Sequence, residues 1–398
     1  MFDFHRKSFV FVTCASGVEP MLEREIRALG LRPEATRPLG VALRASLDDC
    51  LRLNLHLRTA HRVLWEVLRT KAENADQLYA ALAEVPWEQA IPADGHLTVV
   101  SSVDNPSIRD ARFANLRVKD AVVDRMVAAV GRRPDSGPER TGSVLSLHWQ
   151  GRSVSLSLDT SGEPLSNRGY RTMPHSAPMR ETLAAACLLA AGFNGLGNMV
   201  NPMCGSGTLA LEAALMATGT APGLLREHFA FQHLPAFDPA RWQALRDEAR
   251  SRARPTTRGR IIATDHDPQA IAAARHNAAA AGLDSLVELD TCDFQDTTVP
   301  EPQRRAVNLI AVNPEYGLRL GDEAALEPVH AALGDFLKQR CQGYVGAVFT
   351  GNPRLAAKIG LRTRARLPLM NGPIECRLLL YDLYAGSRKT KDDTPGED

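Results

Sequence analysis

The sequence is short of the features that usually declare a compartment or a chemistry. Seven cysteines in 398 residues (Cys14, Cys50, Cys187, Cys204, Cys292, Cys341 and Cys376) are odd in number, far apart and never spaced Cys-x-x-Cys. This supports neither a disulfide framework nor a zinc site, so the thiols read as reduced and mostly buried and no metal is expected. An excess of one charge is also missing: the formal net charge is +1, which gives no global attraction to nucleic acid. The opening "MFDFHRKSFVFVTC" sets an acid and two basic residues ahead of an apolar run too short for a membrane span and without the form of a secretory signal. A cytoplasmic protein with no membrane partner is the expectation. There is no internal repeat, and residues 389–398 are expected to be a disordered tail. Nothing in the sequence bears on the oligomeric state.

With 44% hydrophobic and 23% charged residues the chain can bury a large core, and its length suggests two or three domains. Over residues 1–60 a strand-like run (9–13), a helix (20–29), the strand-like "GVALRASL" and a helical run (51–57) predict a small α+β unit. Residues 61–165 hold "RVLWEVLRT", a helical stretch near 75–85, the alternating "HLTVVSSVD" and the helix "RVKDAVVDRMVAAV". They end in two alternating runs, "SVLSLHWQ" and "SVSLSLDT", separated by Gly151-Arg152, which is a hairpin signal. From about residue 175 helix and strand alternate, with helices over 179–192, 208–218, 268–281 and 324–340 and strands at 198–200, 260–264, 286–289, 307–312, 343–350 and 375–384. That order predicts α/β architecture with a mostly parallel, doubly wound sheet, whose ligands bind beyond the carboxyl ends of the strands.

Three of those ends carry polar sequence. In "NMVNPMCGSGTLALEAAL" a short strand leads through Cys204-Gly205-Ser206-Gly207 into a helix starting near Thr208. Two glycines let the backbone approach a ligand closely, and free amides at the helix start favour a polar or anionic group, although a plain strand-to-helix turn would look the same. Leu209 and Ala210 stand where the dinucleotide fingerprint has its third glycine, so a nucleoside suits the turn better than a pyrophosphate. In "RIIATDHDPQAIAAARHNAAAAGL" a strand delivers Asp265 and Asp267-Pro268 starts a helix. With Asp267 as the cap, Asp265 is free to accept from a ribose diol, and His266 either touches that ribose or is an exposed loop residue. In "ELDTCDFQD" Asp293 is placed to accept from the exocyclic amine of an adenine, with Asp290 and Asp296 competing for the role. A glycine turn and two acids at successive strand ends describe a pocket for S-adenosyl-L-methionine.

A fourth strand end, "VNLIAVNPEYGLRL", passes abruptly from an apolar run into Asn313-Pro314-Glu315-Tyr316-Gly317. Together with "NPMCGSGTLALEAAL", "TDHDPQAIAAARHNA" and "LDTSGEPLSNRGYRTMPHSAPMRETLAAA" it resembles bacterial THUMP-containing RNA methyltransferases that act on the N2 amine of guanine, close to the large-subunit (23S) ribosomal RNA branch. The similarity covers nearly the whole chain: "CASGVEPMLEREIRALG" and "SSVDNPSIRDARFANLRVKDAVVDRM" are similar to that family's ferredoxin-like and THUMP modules, which dock RNA. The resemblance implies a ferredoxin-like unit over 1–60, a THUMP unit over 61–165 and a Rossmann-like class I methyltransferase over 166–388. It implies that Asn201, Met203, Cys204, Gly205, Ser206, Gly207, Thr208, Asp265, His266 and Asp293 hold S-adenosyl-L-methionine, Cys204 as a small residue of the turn. It also implies that Asn313 and Pro314 accept the hydrogens of the target amine and that Tyr316 stacks on its base.

Glu315 departs from the family motif, which has a second proline there. An active enzyme and an RNA-binding assembly factor without turnover are the two outcomes, and the intact pocket favours the first. A tRNA guanine and the N6 amine of adenine in DNA are the alternative substrates. "SNRGYR" groups Arg168, Tyr170 and Arg171, which suits phosphate contact and base stacking on RNA, or else a linker packed on the catalytic unit. Residues 241–260 hold seven arginines against two acids, and 354–366 hold five basic residues and no acid; each stripe is either a phosphate attractor or a solvated face. Asn371-Gly372 in "MNGPIECRL" reads as a hairpin turn.

Overall fold

The computed structural model describes residues 5–173, 179–315 and 322–384. The tail expected over 389–398 lies outside them. The first unit comprises β1 (Ser8–Thr13), α1 (Glu19–Ala28), β2 (Pro33–Arg37), β3 (Gly40–Ala45), α2 (Leu47–His56) and, beyond the boundary expected at residue 60, β4 (Arg62–Lys71), which pairs with β1 to give the strand order β2-β3-β1-β4. The second comprises α3 (Ala75–Ala83), β5 (His96–Asp104), α4 (Ala111–Val130), β6 (Asp135–Ser136), β7 (Ser143–Gln150) and β8 (Ser153–Asp159). Its β8 pairs with β4, so both units share one eight-stranded sheet, β2-β3-β1-β4-β8-β7-β5-β6. Gly151-Arg152 does close a hairpin, with Gln150 opposite Ser153. β2 and β6 go unread in the sequence because their side chains are mostly exposed and show no apolar alternation.

The third unit runs α5 (Glu181–Ala190), β9 (Met199–Pro202), α6 (Thr208–Thr218), α7 (Pro239–Arg252), β10 (Ile261–Asp265), α8 (Pro268–Ala280) and β11 (Glu288–Thr291). It continues through β12 (Leu309–Val312), α9 (Asp322–Arg340), β13 (Val345–Thr350), α10 (Pro353–Lys358), β14 (Ala365–Asn371) and β15 (Ile374–Asp382). The sheet order is β11-β10-β9-β12-β13-β15-β14, parallel from β11 to β13, with β15 antiparallel to β13 and β14 antiparallel to β15. Successive residues of one strand serve opposite faces. Met199, Ile261 and Leu309 join the core beneath α5, α6 and α8, while Val200, Ile262 and Ile310 pack with Leu333, Phe336 and Leu337 of α9. The expected doubly wound sheet is therefore present, and the Asn371-Gly372 turn does join β14 to β15.

One helix explains how the halves are joined. All of α6 is buried, including Glu212 at 0% exposure. A carboxylate there needs a cation, because desolvating an unpaired charge is costly. Arg168, 1% exposed, supplies it: Nε and Nη2 each lie 3.4 Å from a Glu212 oxygen, and Tyr170 Oη donates to Glu212 at 3.2 Å. Buried Glu181 on α5 is matched in the same way by Arg171, whose Nε donates at 2.9 Å. Arg168 also donates to the carbonyl of Arg58, and Arg58 donates to the carbonyls of Leu215 and Thr220, so the α2–β4 connection is tied to α6.

This corrects the assignment of Arg168, Tyr170 and Arg171 to RNA contact. The first two are buried in the junction between the units, and the third is half-buried on Glu181, Met179 and Thr208. The arginine stripes are likewise largely engaged: Arg241 pairs with Asp48, Arg250 with Asp247, Arg252 with Glu248 and Arg260 with Glu288, while Arg354, Lys358 and Arg364 pair with Glu323, Glu327 and Asp382.

Replacing Glu212 by Gln leaves Arg168 buried without its counter-charge and is expected to cost about 3 kcal/mol, read as a lower midpoint of chemical unfolding. Acid should loosen the same junction. Burial, aided by Arg180, Arg62 and Arg168, pulls the His61 imidazole from 6.5 down to about 4. Between those values the unfolded chain binds a proton that the folded chain does not, so stability falls as pH is lowered through that window. His61→Gln should flatten the fall in melting temperature.

Candidate active site

The chain steps outward from β9 through β10 to β11, then returns to β12 on the other side of β9. The crevice at this reversal, beyond the carboxyl ends of β9 and β12, is where such sheets bind ligands. The described cofactor and catalytic candidates all lie on or just past the ends of β9, β10, β11 and β12.

The turn after β9 is set by its backbone. Met203, Gly205 and Gly207 have φ of +57°, +54° and +83°. A Cβ on Gly207 would stand 3.1 Å from the Cβ of Ala274 on α8, so close packing adds to the left-handed backbone in favouring glycine there. A Cβ on Gly205 would meet nothing within 4 Å, so its open side can admit a ligand. Asp265, 8% exposed, braces the turn: Oδ2 accepts from the Gly205 amide at 2.9 Å and Oδ1 from the Asp267 amide at 3.0 Å. The Cys204 amide donates to Thr264 O at 2.9 Å. Burial, with Asp265 nearby, pushes the Cys204 thiol up, so it stays neutral.

Asp267 does cap α8, accepting from the Gln269 amide at 2.8 Å. Asp265 is nevertheless not idle, which revises the sequence reading. A carboxylate offers about four acceptor positions, so Asp265 can brace the turn and still receive a diol. Asp293 is exposed and caps a 3₁₀ turn through the Gln295 amide at 2.9 Å. Asp290 and Asp296 line a groove of about 510 Å³ beside β10 and β11. His266 has a side chain 80% exposed, with Nδ1 3.4 Å from Asp265 Oδ1.

Two amide oxygens are left over at the crevice. Asn201 Nδ2 donates to Ala311 O at 2.8 Å and so links β9 to β12, but its Oδ1 is buried and has no hydrogen-bond partner among the described residues. The same holds for Asn313 Oδ1, just past β12. An unpaired buried acceptor costs roughly 1–3 kcal/mol, and such atoms call for an explanation such as an absent ligand. Pro314 is buried and Glu315 exposed. Tyr316 and Gly317 lie outside the described residues.

Sequence reasoning missed Asn277. Fully buried on α8, it accepts from the amides of Thr172 (3.2 Å) and Met173 (3.1 Å) and donates to the carbonyls of Met173 (3.0 Å) and Ser206 (3.2 Å). It therefore ties the linker to the glycine turn. Its signal is a lone amide within the alanine-rich "AARHNAAAA". Among the described residues no cluster of side chains could hold a metal ion, and no helix is long and apolar enough to cross a membrane.

The family model for the RMKL-like methyltransferase domain matches residues 168–379, that for the RlmL ferredoxin-like domain 10–64, and that for the THUMP domain 72–159. The chain is 42% identical to the ribosomal RNA large subunit methyltransferase K/L of Syntrophotalea carbinolica, over 94% of this chain and 53% of that protein. It is 36% identical to slr0064 of Synechocystis sp., which carries a provisional RNA methyltransferase name, over 94% of this chain and 96% of that protein. The chain thus spans about half the length of the K/L relatives it matches. Among solved structures, SMU.472 complexed with SAH superposes with TM-score 0.85 at 26% identity, covering 96% of this chain and 100% of that one. A Listeria monocytogenes chain described as a predicted N6-adenine-specific DNA methylase gives 0.84 at 28% identity, covering 95% and 97%.

Thermal melts of glycine variants should separate packing from access. Gly205→Ala is expected to cost about 1 kcal/mol, from the left-handed backbone alone, and Gly207→Ala clearly more, because Ala274 must also move.

Proposed function

We propose that this chain, which belongs to the RMKL-like methyltransferase family, transfers a methyl group from S-adenosyl-L-methionine to the N2 amine of a guanine in large-subunit ribosomal RNA. The observation that carries this reading is a pair of buried amide oxygens at the ends of β9 and β12, Asn201 Oδ1 and Asn313 Oδ1, neither of which has a hydrogen-bond partner among the described residues. The residues present fit the cofactor. The open side of Gly205 gives it room, Asp265 has acceptor positions for a ribose, and Asn201 Oδ1 awaits a donor. When bound, the cofactor supplies an electrophilic methyl group.

The protein's task is the other partner. An amine on a guanine ring is a poor nucleophile because its lone pair is delocalised into the ring. Asn313 Oδ1 and the Pro314 carbonyl, accepting its two hydrogens, would turn that lone pair out of conjugation and stabilise the positive charge that develops on nitrogen. This is catalysis by alignment and electrostatics. Tyr316 is proposed to stack on the base, flipped out of its helix to reach the crevice. Both acceptors are present beside Glu315, whose side chain is exposed, and this supports the reading of an active enzyme. RNA as substrate is supported by the THUMP match over 72–159 and by the K/L relatives. The description of the Listeria neighbour favours a second reading, the N6 amine of adenine in DNA, which the same Asn-Pro motif could serve.

The test is transfer of labelled methyl from S-adenosyl-L-methionine to unmodified total RNA and to duplex DNA, followed by nucleoside analysis. Label should appear as N2-methylguanosine in the large ribosomal RNA, and Asn313→Ala should lower the rate on the order of 100-fold while cofactor affinity is kept. Label in the tRNA fraction would move the substrate to tRNA, and label in adenine of DNA would establish the second reading. Cofactor binding without any transfer would leave an assembly factor.

A further inference from the structure

The first unit follows β1-α1-β2-β3-α2-β4, with β1 and β3 at the centre of its four strands. Its helices cover one face: Val10, Leu43, Val63 and Trp65 share a core with Leu22, Ile26 and Leu53. By the two-residue period of a strand, Phe9 and Phe11 must lie on the opposite face. The ladder sets Phe9 beside Arg44 of β3 and Phe11 beside Leu64 of β4. Phe9, Phe11 and Leu64 are half-buried and join neither core cluster.

Two cations flank the Phe9 ring. The Arg69 guanidinium lies 4.7 Å from the Phe9 centroid and that of Arg37 5.9 Å. Arg44 also lines an open groove of about 520 Å³ with Lys7 and Arg32. The acids nearby are Glu66, 2.6 Å from Arg69, and Glu34, 3.5 Å from Arg44, which leaves the surface positive in balance. Beyond β4 the same face continues over Ser155 and His148.

We propose that this face, centred on Phe9 and Phe11 and rimmed by Arg37, Arg44 and Arg69, binds a single-stranded segment of RNA. Flat rings on a central strand stack with any base, and the cations around them take up phosphate and release counterions. A four-stranded sheet with aromatics on its inner strands is a general layout for holding two or three unpaired bases. The inference deepens the RNA reading above and rests on it. The face lies across the sheet from α1 and α2, which meet α5 and α7 of the catalytic unit. The held segment is therefore a flanking one, an anchor for the substrate, and not the nucleotide that enters the crevice.

Fluorescence anisotropy with a labelled single-stranded oligoribonucleotide and its duplex, without cofactor, tests this on the full chain. Phe9→Leu with Phe11→Leu keeps apolar bulk and removes the rings. Single-strand affinity should fall about tenfold, with duplex binding and salt dependence unchanged. Arg37→Gln with Arg44→Gln should weaken binding and flatten its dependence on salt. Photocrosslinking of 4-thiouridine RNA to the wild type should mark the peptide holding Phe9 and Phe11, whatever the stability of the variants. Wild-type affinity in the leucine variant, crosslinks confined to other peptides, or arginine variants that lose RNA and inorganic polyphosphate alike while the leucine variant loses neither, would overturn the proposal. Methyl transfer is not read, so a failure here is distinct from a failure of the proposed reaction.

Discussion

Two buried carboxylates impose the constraint on which the rest of the structure depends. Glu212 sits in a helix with no exposed face and Glu181 in the helix packed beside it, so each must be met by a cation brought from elsewhere. The linker between the halves brings both, Arg168 to Glu212 and Arg171 to Glu181. At Arg168 and Arg171 the linker is therefore fastened to both helices. It fixes the shared sheet against the catalytic unit, and through Arg171 on Thr208 and Asn277 on Ser206 it reaches the glycine turn itself.

The turn is thus held from two directions. Asp265 braces it from β10, and the linker braces it from behind through Asn277. Asn201 Oδ1 and Asn313 Oδ1 take no part in this bracing and have no hydrogen-bond partner among the described residues. Hydrogen bonds of the site are thus spent on shape, and these two oxygens remain for a donor brought by a ligand. That suits a reaction in which the protein aligns two reactants and needs neither a nucleophile nor a metal of its own.

How much of this is legible in the sequence depends on whether the decisive contact is local. Both ends of α6 can be read, because Gly207 and Gly219, each left-handed, flank it. The cap of α8 can be read from Asp267-Pro268. The first turn of α2 is lost, since the strand-like run takes in Ser46 and Leu47 and the helix is read only from 51, whereas Ser46 and Asp49 form a capping box that starts it at Leu47. β12 starts later than its apolar run, because buried Asn308 spends its side chain on Asn198 and Gln303. The misreading of Arg168 and Tyr170 has the same origin: basic and aromatic residues serve a phosphate or a buried acid equally well, and the acid lies 44 residues away. The bracing role of Asp265 likewise depends on an amide 60 residues distant.

Strand β4 belongs to two neighbours at once, paired with β1 along one side and with β8 along the other, with a bulge between Glu66 and Leu68 adjusting the second register. Cutting away either small unit would strip one side of its backbone of partners and leave a ladder open to strand addition. The two units are therefore separable as names and inseparable as material. Swapping one of them between homologues would demand a β4 whose two edges both match, so recombination should exchange the pair as a single block.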